Sequence, residues 1–487
     1  MNSIVEAVAS AAARKPDTVA VIAERQEITY GELWKEIRGF AAYIQSLGLE
    51  KGARIIVKAK HSIWYVVACF GTHLSGCVFA PVEKTIGVEG LKDIARQLSP
   101  AMIISDVNVE SGEFITVDSS SVRALAAESF KEGLKFDFPQ PEDLCDILFT
   151  TGTTGKSKGV MLTHESTVVM ADGYRTGNKI SEDNVYLIPG PVNHVGGIRR
   201  VYVSMLTGTT AVLLDGFVNL KLFFEYIRDY HVTSIQMPPS AVRLVLLLAS
   251  EKLAKCAGQI DFIQTGTTVF PKADMERLRE LLPSARLYFA YGTSETGTIS
   301  LLEYSKDNKE MGCVGKPMAH SRVFIVDGDG KEIRSSRDCP GRIAVSGPYL
   351  MSGYYNEPEL TKEILTNGVL YTNDLGYFDE DGYLYVLGRR GDVINIGGLK
   401  IAPAEVEDTA IRFLGIAECA CFAAQDRSGN TVLKLDIVEK PETNIQIMEL
   451  HKHLRGHLEA FKVPKLIEKV SEIPKTANGK IDRKALK

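Results

Sequence analysis

A chain of 487 residues has room for two or three domains, and its 45% hydrophobic and 24% charged residues are those of an ordinary globular protein. A formal net charge of −5 leaves no basic footprint for nucleic acid and no polybasic membrane segment. The eight cysteines include no Cys-x-x-Cys pair, which argues against a zinc site and for a reducing, cytoplasmic setting.

Residues 1–17 lack a basic start followed by a long apolar core, so they read as a short helix on Ile4, Val5 and Val8 rather than a signal peptide. The most apolar short run, 244–249, is far too short to span a bilayer. The clearest helix covers 29–48: Thr29 and Glu32 form a capping box, Leu33, Ile37, Phe40, Ile44 and Leu47 keep a helical spacing, and Gly48 stops it. Strands at 54–57, 77–81 and 101–105 then alternate with helices at 62–74 and 88–98, the rhythm of parallel βαβ units. Residues 106–141 are polar and irregular and read as a peripheral excursion.

Alternation resumes with a helix from 165 and a strand at 185–188. It continues through strands at 211–214, 234–237, 262–265 and 287–290 and helices at 221–229, 241–250 and 272–282. Beyond Ser300 the texture becomes antiparallel, with strands at 323–326, 341–345, 382–387 and 393–396 and a turn at Asp327-Gly328-Asp329-Gly330. The apolar pattern breaks at Gly388-Arg389-Arg390-Gly391-Asp392, which marks a boundary between residues 1–390 and a small α+β unit, 391–487. That unit has helices at 403–414 and 445–458 and strands at 419–424 and 432–438.

Within this frame one stretch stands out. After the apolar Ile147-Leu148-Phe149 come Thr150, Thr151, Gly152, Thr153, Thr154, Gly155, Lys156, Ser157 and Lys158. Glycines bring backbone N–H groups close to a ligand, while hydroxyls and ammonium groups suit phosphate oxygens. A polar surface loop has the same composition. The run is not a P-loop, because Thr150 stands where that pattern needs glycine, and no Gly-x-Gly-x-x-Gly follows a strand.

The stretch resembles the phosphate loop of the adenylate-forming enzymes: acyl- and aryl-CoA ligases, adenylation domains and luciferases. That family usually has Pro where Ser157 stands. Tyr291-Gly292-Thr293-Ser294-Glu295-Thr296-Gly297 resembles its second signature, in which Glu295 contacts magnesium and Tyr291 lies along adenine. Gly266, Thr267 and Thr268 match its adenine-bordering loop in position, though not its usual Gly-Gly-Ala. Asp374 and Arg389 resemble its ribose-binding pair, and an isolated salt bridge is the plainer reading of the same two residues. Lys480, in Pro474-Lys475-Thr476-Ala477-Asn478-Gly479-Lys480, falls where the family places its catalytic lysine, bridging carboxylate and α-phosphate.

The resemblance covers the whole chain and implies a large N-terminal domain of βαβ layers plus a distorted β-barrel, with a small mobile α+β C-terminal domain. It implies ATP, Mg2+ and coenzyme A as cofactors and a small carboxylic acid as substrate. Asp392 matches the family's hinge, and Gly397, Gly398 and Lys400 its thiol channel. His194, within Pro191-Val192-Asn193-His194-Val195-Gly196-Gly197, borders the acyl pocket as a guard of the thiol passage, and Arg199, Gln236, Met237, Ile263 and Thr298 line it. Arg199 and Arg200 are unusual beside such a pocket: they could meet a second carboxylate or a polar group on the substrate, but at least one is expected to point to solvent. His194 replaces the Asp that amino-acid-activating relatives carry, so an acid without an α-amino group is expected.

Two alternatives stay open: a ligase that loads a separate phosphopantetheinyl carrier protein, and a non-catalytic nucleotide-binding protein. The second predicts loss of at least one of Glu295, Asp374, Arg389 and Lys480, and all four are present. The oligomeric state is open.

Overall fold

The computed structural model describes residues 1–109, 112–150, 158–217, 219–266, 270–396, 399–426, 430–475, 481–483 and 485–486, apart from the side chains of Thr150, Asn395, Leu399 and Lys400. Two large sheets organise the first part of the chain. One runs in the order Ile115–Asp118, Met102–Ser105, Arg54–Lys58, Val78–Val82, Leu144–Thr150, Lys158–Thr163, Gly353–Tyr354. Its first five strands are parallel, as the βαβ rhythm requires, and its last two are antiparallel additions.

The second sheet has a parallel centre, Thr210–Leu213, Val185–Ile188, Ser234–Gln236, Phe262–Gly266 and Arg286–Thr293. Beyond it the strands turn antiparallel through Gly297–Glu303, Cys313–Pro317, Leu384–Arg389, Val369–Phe378, Gly341–Ser346 and Arg322–Val326. The change of texture past Ser300 is therefore real, although the sequence pattern missed Gly297–Glu303 and Val369–Phe378.

The helix Tyr30–Ser46 carries the expected capping box, and Gly48 stands at φ 69°, a left-handed value that suits glycine. The reading of 106–141 as a mere excursion is corrected. Those residues include the strand Ile115–Asp118 and the helix Val122–Ser129, which seats on Tyr30–Ser46. Arg123 makes a two-pronged pair with Glu36 at 2.6 and 2.8 Å, and Gly39 leaves the room taken by Ala126: a Cβ there would lie 2.0 Å from the Ala126 carbonyl oxygen.

A second helix absent from the sequence reading, Val195–Thr207, lies between the sheets with nearly every residue buried. Burial on all sides erases the polar face that periodicity detects, and two glycines lower its intrinsic propensity. Gly197 is needed there, since a Cβ would come within 2.4 Å of the Pro191 carbonyl oxygen. From Ile394 onward the apolar residues form a core of their own, with Ile401, Val406, Leu435, Ile437, Leu450 and Leu454 at its centre. That unit meets the rest of the protein through Lys272, whose N–H donates to Asp408, and through Arg337, which pairs with Glu405 at 3.2 Å and Glu459 at 3.5 Å.

Candidate active site

The strands Leu144–Thr150 and Lys158–Thr163 pair up to Thr150 and Lys158, which brings both ends of the threonine-glycine stretch side by side. Thr151, Gly152, Thr153, Thr154 and Gly155 themselves, and the side chain of Thr150, lie outside the described residues. Lys158 is described: its ammonium sits 5.2 Å from the centre of the Tyr354 ring. The Tyr354 hydroxyl donates to Glu295 Oε1 at 2.7 Å, and the Met351 N–H donates to the Glu295 carbonyl at 3.0 Å. Tyr355 N–H and Ser352 N–H donate to the carbonyls of Gly159 and Met161, so residues 351–355 lash the strand Lys158–Thr163 to Glu295. Burial and the Glu295 carboxylate both push the Tyr354 phenol up, which keeps it a donor.

Glu295 stands in the tight connection between Arg286–Thr293 and Gly297–Glu303. The Thr293 N–H donates to Thr296 Oγ1 at 3.0 Å, and the glycines let the turn close: a Cβ on Gly292 would meet the Gly297 carbonyl oxygen at 1.7 Å. Among the described residues, no cation lies within ion-pair distance of the Glu295 carboxylate, whose Oε1 meets only a neutral phenol. A hard divalent cation suits such a donor.

The same hairpin reaches the other half of the site. The Tyr291 hydroxyl donates to Asp374 Oδ2 at 2.6 Å, and the Asp374 N–H donates to Thr372 Oγ1 at 3.1 Å. Asp374 and Arg389 are direct partners in the antiparallel pair Val369–Phe378 and Leu384–Arg389. Burial, reinforced by the Asp374 carboxylate, drives the Tyr291 phenol well above its ordinary range. Asp392 follows at once, its N–H donating to the Arg389 carbonyl at 2.8 Å. Gly266 ends the strand beside Arg286–Thr293, opposite Ala290, while Thr267 and Thr268 lie outside the described residues.

His194 caps the buried helix Val195–Thr207 through its backbone. Its Nε2 lies 3.8 Å from Glu83 Oε2, to which Asn193 Nδ2 donates at 3.2 Å. Burial lowers the imidazole's pKa against the pull of Glu83, which favours the neutral ring. Beside it a cavity of about 160 Å³ is lined by His61, Lys84, Pro191, Asn193 and Asp215, none of which the sequence reading singled out except Pro191 and Asn193.

Gln236 pairs in register with Gln264, so these two side chains share one face of the sheet. Gln236 Oε1 lies against Gly190, where an added Cβ would sit 3.0 Å away. Ile263 is fully buried beside Ile235 and Leu287, on the face opposite to Gln236 and Gln264. Met237 is buried beside them, and Thr298 lies opposite Gly292.

The expectation that Arg199 or Arg200 points to solvent is corrected, since they are only 5% and 7% exposed. Arg199 Nη2 donates to the Ser294 carbonyl at 2.9 Å, beneath the Glu295 turn. Arg200 Nη2 donates to Gln264 Oε1 at 3.0 Å, with its guanidinium 4.0 Å above the Tyr174 ring. Gly397, Gly398, Lys480 and the side chain of Lys400 lie outside the described residues.

Residues 8–355 match the family described as AMP-binding enzyme, and residues 405–480 match the AMP-binding enzyme C-terminal domain. The 2-succinylbenzoate–CoA ligase of Bacillus subtilis is 28% identical over 97% of this chain and 95% of its own. A fatty acid–[acyl-carrier-protein] ligase of Streptomyces coeruleorubidus is 27% identical over 100% of this chain and 96% of its own. Among solved structures, the o-succinylbenzoate coenzyme A synthetase of Bacillus subtilis, in complex with ATP and a magnesium ion, superposes with a TM-score of 0.85. It is 26% identical and covers 99% of this chain and 98% of that one.

Proposed function

The chain belongs to the AMP-binding enzyme family, and on that premise we propose the roles of its residues in a two-step ligase. It activates a carboxylic acid with ATP and passes the acyl group to coenzyme A. One observation carries the assignment: a single hairpin, Arg286–Thr293 with Gly297–Glu303, presents Tyr291 to Asp374 and Glu295 to Tyr354 and the Lys158 strand. Nucleotide and phosphate residues thereby converge from strands far apart in the chain.

In the first step a carboxylate oxygen of the acid attacks the α-phosphorus of ATP, and the bond to the pyrophosphate oxygen breaks. No general base is needed, because a carboxylate is already a nucleophile at neutral pH. Asp374 accepts from the ribose hydroxyls, with the Tyr291 phenol fixing its orientation and Arg389 opposite. Lys158 and the threonine-glycine stretch Thr150, Thr151, Gly152, Thr153, Thr154 and Gly155 hold the phosphates. Glu295 would hold a magnesium ion, which would supply neutralisation of the phosphate charge. Lys480 offsets the negative charge that accumulates between acid and α-phosphate.

In the second step the thiol sulfur attacks the acyl carbon and AMP leaves. The small C-terminal domain, residues 391–487, pivots at Asp392 and brings Gly397, Gly398 and Lys400 to the thiol channel. Shelter of a water-sensitive mixed anhydride first and admission of a thiol later is the reason for two arrangements. His194, neutral at physiological pH, guards the passage between the acyl site and that channel. The eight free cysteines fit a cytoplasmic enzyme, and no described helix is long and apolar enough to cross a membrane.

The test separates the two steps. Lys480→Ala is expected to lower pyrophosphate release by about a hundredfold or more while largely keeping thioester formation from a supplied acyl-adenylate. Survival of both steps would remove Lys480 from its role. Asp392→Pro is expected to slow the second step more than the first, and equal losses would remove the hinge. A second acceptor, a phosphopantetheinylated carrier protein, is favoured by the Streptomyces relative named as an acyl-carrier-protein ligase. Matched assays with coenzyme A and a loaded carrier decide between them.

A further inference from the structure

Resting on the ligase reading above, we infer that the acid this enzyme activates carries a second anionic group, which Arg199 and Arg200 receive at the far end of the acyl pocket. Both guanidinium groups are more than nine-tenths buried, and the Nε of each has no hydrogen-bond partner. Their existing contacts are all to neutral groups: the Ser294 carbonyl, the Gln264 amide oxygen and the Tyr174 ring. Among the described residues no carboxylate lies within ion-pair distance of either. An unpaired buried charge is strongly unfavourable, and two adjacent ones in a single helical turn repel each other as well. Burial and the neighbouring Arg200 pull the Arg199 guanidinium down to about 9, still cationic at neutral pH.

The nearest acidic groups are already committed. Asp146 is held by His73 and Tyr202, and Glu295 is the magnesium ligand of the proposed reaction. Arg199, Arg200, Thr298, Tyr174, Met170 and Thr167 line one small pocket. Gln236, whose buried Oε1 has no partner, faces the same side of the sheet as Gln264. The two guanidinium groups and the hydroxyls of Thr167 and Thr298 give that pocket a cationic, donor-rich side, facing Met170 and Ala171. It suits a compact carboxylate, which could accept from both guanidinium groups.

Matched acids test this with the wild-type enzyme alone: succinate against butyrate, glutarate against pentanoate, and phthalate against benzoate, scored by pyrophosphate release with hydroxylamine trapping. The expected result is a preference for the dianionic member of at least one pair by about a hundredfold in kcat/KM, because a site built for a charged group rejects the analogue lacking it. Arg199→Met should collapse that ratio, chiefly through KM for the diacid, and Arg199→Lys should restore part of it. Equal or better use of the monoacids in every pair overturns the inference and leaves the ligase intact. Pyrophosphate release with no acid of either kind sinks the ligase reading itself, and this inference with it.

Discussion

Two buried polar clusters draw on the same helix, Val195–Thr207, and they are built on opposite plans. In the first, Tyr202 donates to both Asp146 oxygens at 3.0 Å, and His73 Nε2 lies 3.0 Å from Oδ1. Cys145 Sγ sits 3.3 Å from the same ring nitrogen, and Cys69 Sγ 3.5 Å from the Tyr202 hydroxyl. The carboxylate is completely enclosed and its charge is met by the fold. In the second, Arg199 and Arg200 bring two charges that only neutral groups meet. The first cluster is part of what folds the protein, whereas the second is left open for something that arrives afterwards.

The largest effect that separates the two plans is on stability. Asp146→Ala removes a buried carboxylate from its donors and is expected to cost about 3–5 kcal/mol. Arg199→Met replaces an uncompensated buried cation with an apolar chain of similar length, so it should cost little or stabilise by about 1 kcal/mol or more. Equilibrium denaturation of the two variants, with Asp146→Asn as a milder companion, reads the difference. Equal destabilisation by both would erase the distinction.

A smaller effect follows from His164, whose ring meets that of His73 edge-on at 5.3 Å and which is 1% exposed. Burial, aided by the nearby charges of His73 and Lys51, lowers its pKa from the ordinary value of 6.5 to about 2. The unfolded chain takes up a proton below about pH 6.5 that the folded chain refuses. Stability held above that pH is therefore lost as the pH falls, by about 1.4 kcal/mol per unit from this one group. His164→Gln should flatten the decline between pH 6.5 and 5, read as the shift of the denaturation midpoint. An unchanged slope would mean that the closed cluster opens to water before it unfolds.

The parts of the site that the sequence displayed are those whose residues are contiguous. Tyr291 and Glu295 share one string because a strand end and its turn are consecutive in the chain, and the Asp374 string lies on one strand. The alternating strands and helices were visible for the same local reason. Tyr354 was not visible, since one of three tyrosines in residues 349–355 carries no pattern of its own, and its contacts come from pairing Gly353–Tyr354 with Val160 and Met161. That Gln236 and Ile263 stand on opposite faces was not visible, because a short buried strand shows no alternation from which to read its faces. The burial of Arg199 and Arg200 ran against the ordinary preference of arginine for the surface, and the only hint was their place beside the acyl segment.

Glu295 is a third case between the two plans: a phenol meets its carboxylate in the structure, and in the proposed mechanism a cation does so. If the Tyr354 hydroxyl positions that carboxylate, Tyr354→Phe removes one charge-assisted hydrogen bond of 2.7 Å and about 1–2 kcal/mol of orientation. The concentration of magnesium needed for half-maximal pyrophosphate release should then rise by about fivefold to thirtyfold, with little change in the denaturation midpoint. The opposite outcome, a lower magnesium requirement, would show the phenol to be a competitor that the ion must displace. In that case Tyr354 belongs with the closed cluster, as a group that satisfies a charge for the fold's own sake. The sign of one titration thus decides on which plan this corner of the site is built.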